Sequence, residues 1–258
     1  MSVQDLFSIR GKTALVTGGS RGIGLMIARG YVDSGAKVYI SSRKAEVCES
    51  VARDLSGSGE CVALPADLSK MTEVERVANE LQERESQLDI LVNNAGATWG
   101  ATVDEFPEKG WDKVMDLNLK SIFFLTQKLL PLLDRSATSD DPARVINIGS
   151  IDGLHLSLFD NFSYSASKAA LHHLTKMTAT HLASRNILVN AIAPGPFETP
   201  MMDPMIETMG DEIRDAIPLD RLGEAEDISG VAIFLAARAS AYMTGTVIPV
   251  DGGVMAAS

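Results

Sequence analysis

Short apolar runs alternate along the chain with stretches in which apolar residues recur at helical spacing. Seven of these runs are nearly unbroken and rich in β-branched residues, which is typical of parallel strands covered on both faces. They lie at 12–17, 37–40, 61–64, 88–92, 144–148, 187–192 and 246–250. Helical spacing links Val74, Val77, Ala78 and Leu81, and later Val231, Phe234 and Leu235. We expect Ser69 to be the N-cap of the first of these helices.

Strands that alternate with helices predict an α/β fold. The expected form is a single Rossmann-type, doubly wound parallel sheet of seven strands with helices on both faces. No linker, repeat or low-complexity tract interrupts the alternation, and the polar stretch 136–142 is expected to be a loop before a strand. A length of 258 residues suits one open sheet, so we expect residues 1–258 to form one domain.

Charge and composition then narrow the possible functions. The formal net charge of −11 argues against binding to nucleic acid or to anionic membranes, which both need a basic surface. No apolar run is long enough to span a bilayer, and the first ten residues lack a signal-peptide layout. Cys48 and Cys61 are not spaced as a metal pair or a disulfide framework, and the four histidines show no metal spacing. We therefore expect a cytoplasmic protein without a metal site.

A glycine-rich turn follows the first strand and opens a helix. Its sequence is Thr17-Gly18-Gly19-Ser20-Arg21-Gly22-Ile23-Gly24. Glycines let a backbone approach a pyrophosphate closely, and the free N–H groups of a helix N-terminus bind anions. The spacing differs from the common GxGxxG fingerprint. The turn alone is a weak signal, but its position at the start of an alternating chain favours dinucleotide binding.

Four further motifs follow in order along the chain. They are Asn93-Asn94-Ala95-Gly96, Tyr164-Ser165-Ala166-Ser167-Lys168, Pro194-Gly195 with Thr199, and Asp251-Gly252-Gly253. Together with the glycine turn and Asn118, they resemble the short-chain dehydrogenase/reductase family over almost the whole chain. Within that family the sequence is most similar to the bacterial 3-oxoacyl-thioester reductases, including the branch associated with rhamnolipid precursors.

The resemblance implies an NADP-dependent enzyme that reduces a carbonyl, and it marks the residues expected to hold the cofactor. These are Gly18, Ser20, Arg21, Gly22, Ile23, Gly24, Ser42, Arg43, Asp67, Leu68, Asn94, Ala95, Gly96, Tyr164, Lys168, Pro194, Gly195 and Thr199. Asp67 would bind the adenine amine, as in the family; alternatively it caps the next helix.

The second strand indicates which nicotinamide is bound. NAD-preferring folds of this kind place an acid at its end, where the carboxylate repels a 2′-phosphate. Here the strand ends Ser41-Ser42-Arg43-Lys44. Arg43, with Arg21 and Ser42, would suit a phosphate. The alternative is that Arg43 and Lys44 only solvate a helix start, but the missing acid favours NADPH.

The expected catalytic group is Ser150, Tyr164, Lys168 and Asn118. Tyr164 and Lys168 are four residues apart and so share a helix face. The Tyr164 hydroxyl would pass a proton to the carbonyl oxygen, and a nearby ammonium would lower its pKa. Ser150 ends a strand and would bind the substrate oxygen. By resemblance to the family, Lys168 would also hold the nicotinamide ribose, and Asn118 would support Lys168 through a water.

One spacing departs from the family. Ser150 lies fourteen positions before Tyr164, one more than expected. The extra residue predicts a bulge in the loop 151–163. It also leaves Ser157 and Ser163 as less well placed alternatives to Ser150.

Two segments are expected to bind the substrate. Residues 196–222 hold Met201, Met202, Met205 and Met209, and in the family this region closes over the substrate. Methionines fill variable apolar shapes, so they suit an acyl chain or another hydrophobic ketone, although they equally suit packing on the core. The other segment offers Leu154, Leu156, Leu158 and Phe159. A net charge of −11 is a poor match for an acidic carrier protein, so the thioester carrier stays open.

Three functions are compatible with the sequence. The first is the NADPH-dependent carbonyl reductase, and the second is an alcohol or polyol dehydrogenase of the same fold. The third is a nicotinamide-sensing binding protein, which would not need all four catalytic residues. We also expect a homotetramer, or else a dimer, because the helical stretch 111–133 is rich in Leu and Phe.

Overall fold

A parallel sheet organises the protein. The computed structural model describes residues 2–157 and 159–257. The sheet has seven strands in the order β3-β2-β1-β4-β5-β6-β7. The strands are β1 (Thr13–Thr17), β2 (Lys37–Ser41), β3 (Glu60–Ala63), β4 (Ile90–Asn93), β5 (Ala143–Ile148), β6 (Ile187–Pro194) and β7 (Val247–Val250). All seven predicted strands are confirmed, each to within two residues.

Helices connect the strands and cover the sheet. They are α1 (Val3–Leu6), α2 (Gly22–Asp33), α3 (Ala45–Leu55), α4 (Met71–Arg84), α5 (Glu108–Met115), α6 (Ser121–Ser136), α7 (Phe162–Leu182), α8 (Asp203–Asp215), α9 (Ala225–Ala236) and α10 (Val254–Ala257). A π-helical turn, Asp116–Lys120, joins α5 to α6. No helix in the described parts of the chain combines the length and the apolar character needed to cross a membrane.

The core consists of two apolar layers, one on each face of the sheet. Ala14 and Val16 of β1 join the layer formed with α2, α3 and α9, whereas Leu15 joins the layer formed with α4, α6 and α7. Successive side chains of a strand point to opposite faces. Both faces are covered, so every residue of β1 is buried, and this explains the unbroken apolar run in the sequence.

The helical spacing is also confirmed, but one expected cap is not. Val74, Val77 and Ala78 of α4 are fully buried, as is Leu81. The helix starts at Met71 with Lys70 as its N-cap, so the expectation for Ser69 was wrong. The Ser69 hydroxyl instead donates to Asp67 Oδ1 at 2.8 Å, because these two side chains close a turn of their own before the helix.

The direction of chain progression across the sheet reverses beside β1. The chain passes from β1 to β2 and β3 on one side, and then crosses to β4 on the other. In open α/β sheets, such a point leaves a crevice outside the carboxyl ends of the strands, where ligands bind. The Asn94 amide bridges this point by donating to Thr17 O at 2.8 Å.

Candidate active site

A cavity of about 640 Å³ opens at the carboxyl ends of the central strands. Its wall includes the residues that follow five strands: Gly18, Ser42, Asn94, Gly149 and Gly195. Of the residues expected to hold the cofactor or to form the catalytic group, all line this cavity except Asp67 and Asn118.

The glycine turn forms a close-fitting floor for one end of the cavity. Gly18 has φ +66°, and a Cβ atom there would lie 2.7 Å from Asn94 Nδ2. A Cβ on Gly24 would collide with the Gly18 carbonyl oxygen. Helix α2 begins at Gly22, with Arg21 as its N-cap. The turn therefore brings backbone and helix N–H groups close to any group that occupies this end of the cavity.

The end of β2 adds polar and cationic groups to the same end of the cavity. Ser42 lines the cavity, and its side chain has a hydrogen bond with the buried Cys48 thiol. Arg43 and Lys44 are exposed beside it. A hydroxyl can also donate to a ligand oxygen, and guanidinium and ammonium groups bind phosphate oxygens. These groups suit a phosphate.

Two expected residues act behind the cavity wall rather than on it. Asp67 lies between Ala66 and Leu68, which do line the cavity, and it accepts the hydrogen bond from Ser69. Asn118 is fully buried in the π-helical turn. Its Oδ1 accepts from Ala97 N at 2.8 Å, and its Nδ2 donates to Ala97 O and to Ser167 Oγ. Asn118 thus ties the strand β4 loop to helix α7.

The three side chains expected to handle the proton lie together at the end of β5. Tyr164 and Lys168 come from α7, and Ser150 is the second residue after β5. Lys168 Nζ donates to Ile148 O at 2.7 Å and lies 5.5 Å from the centroid of the Tyr164 ring. A hydrogen bond also links Ser150 with Tyr164. All three line the cavity.

The electrostatics of this group differ from the expectation. Burial raises the pKa of Tyr164 to about 12, although the Ser150 hydrogen bond lowers it and the Asp152 carboxylate raises it further. Burial also lowers the pKa of Lys168 to about 8, against the opposing effect of Asp152. The expectation that the ammonium would lower the Tyr164 pKa was therefore wrong. Desolvation dominates both groups, because both charged forms lose water.

The loop after Ser150 is the segment in which the spacing predicts an extra residue. It begins with a 3₁₀ turn, Ile151–Gly153, and Asp152 Oδ2 then accepts hydrogen bonds from Asn161 Nδ2 at 2.9 Å and Ser157 Oγ at 3.1 Å. Ser157 and Ser163 do not line the cavity, whereas Ser150 does. Ser150 is therefore the hydroxyl of this segment that can reach a substrate.

The apolar residues of this loop were predicted less well. Phe159 lines the cavity as expected. Leu154 and Leu156 do not, because the turn directs them to solvent, where Leu156 is 91% exposed. Leu158 lies outside the described residues.

The methionine-rich segment covers the cavity with its first half. Met201, Met202 and Met205 line the cavity. Met209 does not, and it lies at a kink in α8, with φ −137° and ψ 28°. The expectation that all four methionines of this segment face the substrate was therefore wrong for Met209.

Sequence reasoning missed two residues beside the site. Asp152 lines the cavity, but no motif or periodicity marks it. His172 is buried, and a Cβ on Gly149 would collide with its Nε2 atom. Burial, reinforced by the positive charge of Lys168, lowers the pKa of His172 to about 4. His172 lies four residues after Lys168, so helical spacing could have placed it on the same face as the catalytic group.

Comparison with known proteins agrees with this geometry. The family model described as Enoyl-(Acyl carrier protein) reductase matches residues 18–255. The rhamnolipids biosynthesis 3-oxoacyl-[acyl-carrier-protein] reductase of Pseudomonas aeruginosa is 50% identical over 249 residues, which cover 96% of this chain and 97% of that protein. The 2-dehydro-3-deoxy-D-gluconate 5-dehydrogenase of Bacillus subtilis is 38% identical over 253 residues, 97% of each chain.

A solved structure is similar over nearly the whole fold. The Pseudomonas aeruginosa RhlG/NADP active-site complex has a TM-score of 0.94 and 49% identity, and the match covers 97% of this chain and 98% of that one. The fold and the site define an oxidoreductase built on a dinucleotide-binding sheet. The chain belongs to the short-chain dehydrogenase/reductase family.

Proposed function

We propose that this enzyme uses NADPH to reduce a hydrophobic ketone, such as a 3-oxoacyl thioester, to a secondary alcohol. One observation carries the proposal: Tyr164, Ser150 and Lys168 line the same cavity as the glycine turn and the cationic end of β2. A proton donor and a phosphate cradle at two ends of one crevice suit hydride transfer from a dinucleotide. The NADP complex of the Pseudomonas aeruginosa relative supports the choice of cofactor.

The residues that would hold NADPH fall into groups along the crevice. The turn Gly18–Gly24 would bind the pyrophosphate, and Ser42, Arg43 and Arg21 would bind the 2′-phosphate. Asn94, Ala95 and Gly96 would lie under the cofactor, with Leu68 beside the adenine. Pro194, Gly195 and Thr199 would flank the nicotinamide. When bound, the cofactor supplies the hydride.

The catalytic side chains would manage the proton. With its pKa raised to about 12, Tyr164 stays protonated at neutral pH, so it can donate a proton to the oxygen that gains negative charge. Ser150 would donate a hydrogen bond to the same oxygen. Lys168 would hold the ribose and place its positive charge beside the Tyr164 ring. Asn118 would act as a positioning residue, since it binds Ser167 next to Lys168.

A second function is favoured by one comparison. The Bacillus subtilis relative is a sugar-acid dehydrogenase, so an alcohol or polyol dehydrogenase is the alternative. The cavity favours the reductase, because Met201, Met202 and Met205 offer apolar surface to a chain. A nicotinamide sensor is disfavoured, because it would not need the aligned Ser150, Tyr164 and Lys168.

We also propose the setting in which the enzyme works. Residues 1–258 form one catalytic domain, and the segment 196–222 covers the substrate. The protein assembles as a homotetramer, or else a dimer, in the cytoplasm. Two observations support these proposals: apolar side chains are exposed on α5 and α6, and Cys48 and Cys61 are both free.

The test is a spectrophotometric screen. Ketones, sugar ketones and 3-oxoacyl thioesters on coenzyme A and on carrier protein are assayed by loss of NADPH absorbance, with NADH in parallel. We expect turnover on a hydrophobic ketone or thioester and a preference for NADPH. Turnover confined to polyols or sugar acids would support the alternative, and no turnover on any substrate would contradict both.

A further inference from the structure

The charged side chains that line the cavity are unevenly distributed. Among the described residues, four basic side chains line it: Arg21, Arg43, Lys44 and Lys168. Arg43 and Lys44 follow β2, which is three strand positions from β5 and so roughly 14 Å away. Lys168 lies against the Tyr164 ring and donates to Ile148 O. Arg21 follows β1, which is two strand positions from β5 and so roughly 10 Å away. Among the described cavity residues, Lys168 is therefore the one cation beside Tyr164, and its ammonium already donates to Ile148 O.

The end of the cavity beside Tyr164 carries two acids as well as Lys168. Asp152 and Asp160 both line it. Asp152 is half-buried and held in place, because its backbone N–H donates to Ser150 Oγ at 3.1 Å and its carboxylate accepts from Asn161 and Ser157. Asp160 is exposed, so water screens its charge. Asp152 is therefore the acid whose field acts on the site.

The negative charge of Asp152 affects the ionisation of neighbouring side chains. The Asp152 carboxylate raises the pKa of both Tyr164 and Lys168. A negative charge that affects the proton donor also affects any charge on the substrate bound to that donor. Two unit charges about 6 Å apart at an effective dielectric constant of about 20 change a binding constant roughly 100-fold.

We propose that Asp152 is a specificity-determining residue that rejects ketones carrying a carboxylate close to the carbonyl. The substrate is then uncharged around its carbonyl, as in a thioester or an ester, and free oxo acids and sugar acids are excluded. This inference rests on the proposed ketone reduction. The charge of Asp152 would let the site select thioesters over acids without relying on contacts with the acyl chain.

The experiment compares two substrates that share one carbonyl. The full-length enzyme is assayed with NADPH on 3-oxobutanoate and on its ethyl ester, and the ratio of kcat/KM for the acid to that for the ester is measured. We expect the wild type to favour the ester by at least about tenfold. Asp152→Asn should raise the acid/ester ratio about 10- to 100-fold. This holds whether kcat/KM for the ester itself rises or falls in the variant.

Two further variants separate charge from shape. Asp152→Glu keeps the charge and should leave the ratio within about threefold of the wild-type value. Asp54→Asn removes one charge from an exposed site on α3 outside the cavity and should not alter the ratio. Should Asp152→Asn fail to fold, raising the salt concentration with the wild-type enzyme should still increase the ratio at least about twofold, because salt screens the carboxylates.

The outcomes distinguish this proposal from the one on which it rests. If the wild type reduces the ester and the acid equally well, Asp152 has no such role, while the proposed function stands. An acid/ester ratio that is unchanged in Asp152→Asn would overturn the proposal in the same way. A wild-type enzyme that reduces no ketone would overturn both.

Discussion

At the scale of single residues, burial controls the chemistry of the site more than neighbouring charge does. Lys168 is 4% exposed, and its pKa falls to about 8 from 10.5. The folded protein therefore holds this proton less tightly than the unfolded chain. The unfolded chain binds more protons between pH 8 and 10.5, so the contribution of Lys168 to stability rises as pH increases through that window.

Replacing Lys168 with an apolar residue should stabilise the protein and abolish its activity. The lowered pKa corresponds to about 3 kcal/mol at pH 7, and the lost hydrogen bond to Ile148 O costs about 1 kcal/mol. Lys168→Met should thus raise the free energy of unfolding by about 2 kcal/mol, measured by urea unfolding at pH 7. Lys176→Met, on the same helix, is the control. A destabilised Lys168→Met would contradict this account of burial.

Cofactor choice depends on Arg43 at the same scale. A charged hydrogen bond to a 2′-phosphate is worth roughly 1.5–3 kcal/mol, or about 10- to 150-fold in cofactor discrimination. Arg43→Ala should reduce the preference for NADPH over NADH in kcat/KM by that factor. Arg53→Ala, at the far end of α3, should leave the preference unchanged. Equal use of both cofactors by the wild type would refute the assignment.

At the scale of elements, α7 supports the end of β5 as well as carrying Tyr164. His172 lies on the face of α7 that packs against Gly149 and Gly153, on either side of Ser150. A Cβ on Gly153 would lie 3.0 Å from His172 Cε1. Burial and the positive charge of Lys168 lower the pKa of His172 against the opposing effect of a hydrogen bond with the Gly153 backbone. His172 therefore acts as a neutral packing group that fixes the strand end and the turn after it.

A neutral buried histidine makes stability depend on pH in acid. The folded pKa of His172 is about 4, below its ordinary value of 6.5. The unfolded chain binds the proton first, so stability decreases as pH falls from 6.5 to 4. His172→Leu should remove most of this decrease, measured by thermal unfolding across that range, while His181→Leu, at an exposed site, should not. An unchanged pH profile in His172→Leu would show that the ring titrates normally.

The sequence predicts some features of the elements and not others, for physical reasons. The strands could be predicted because residues buried on both faces of a parallel sheet must be apolar, as in β1. The N-cap of α4 could not be predicted, because the choice between Ser69 and Lys70 depends on which side chain closes the turn at Asp67. The directions of Leu154 and Leu156 depend on a loop without periodicity.

Most of the site could be predicted for a related reason. Gly18 and Asn94 directly follow strands and Ser150 is the second residue after one, and parallel strands end at the same edge of the sheet. The Tyr164 pKa could not be predicted, since desolvation depends on the whole packed environment. Asp152 could not be predicted, because a hydrogen-bonded turn brings it to the cavity and no sequence pattern marks that turn.

At the scale of the whole molecule, aromatic side chains of α5 and α6 are left partly exposed. Trp111 on α5 is 42% exposed and Phe123 on α6 is 40% exposed. Phe106 packs edge-on against both Trp111 and Phe162. Exposed aromatic side chains grouped in this way are typical of an interface between subunits.

The proposed assembly should depend on this surface. Phe123→Glu should shift the protein towards smaller species at micromolar concentration, measured by light scattering, because a carboxylate would be buried without a partner. Val3→Glu, at an exposed site on α1, should leave the assembly intact. A monomeric wild type would contradict the proposed tetramer and the dimer alike.

The proton transfer by Tyr164 is the central claim, and one substitution tests it directly. Tyr164→Phe removes one oxygen with little change in volume, so NADPH binding, followed by fluorescence, should survive. Turnover on the best ketone should fall roughly 10²- to 10⁴-fold, because a general acid has been lost. Tyr242→Phe, at a fully exposed position, should retain wild-type turnover. A Tyr164→Phe enzyme with near wild-type kcat would contradict the mechanism.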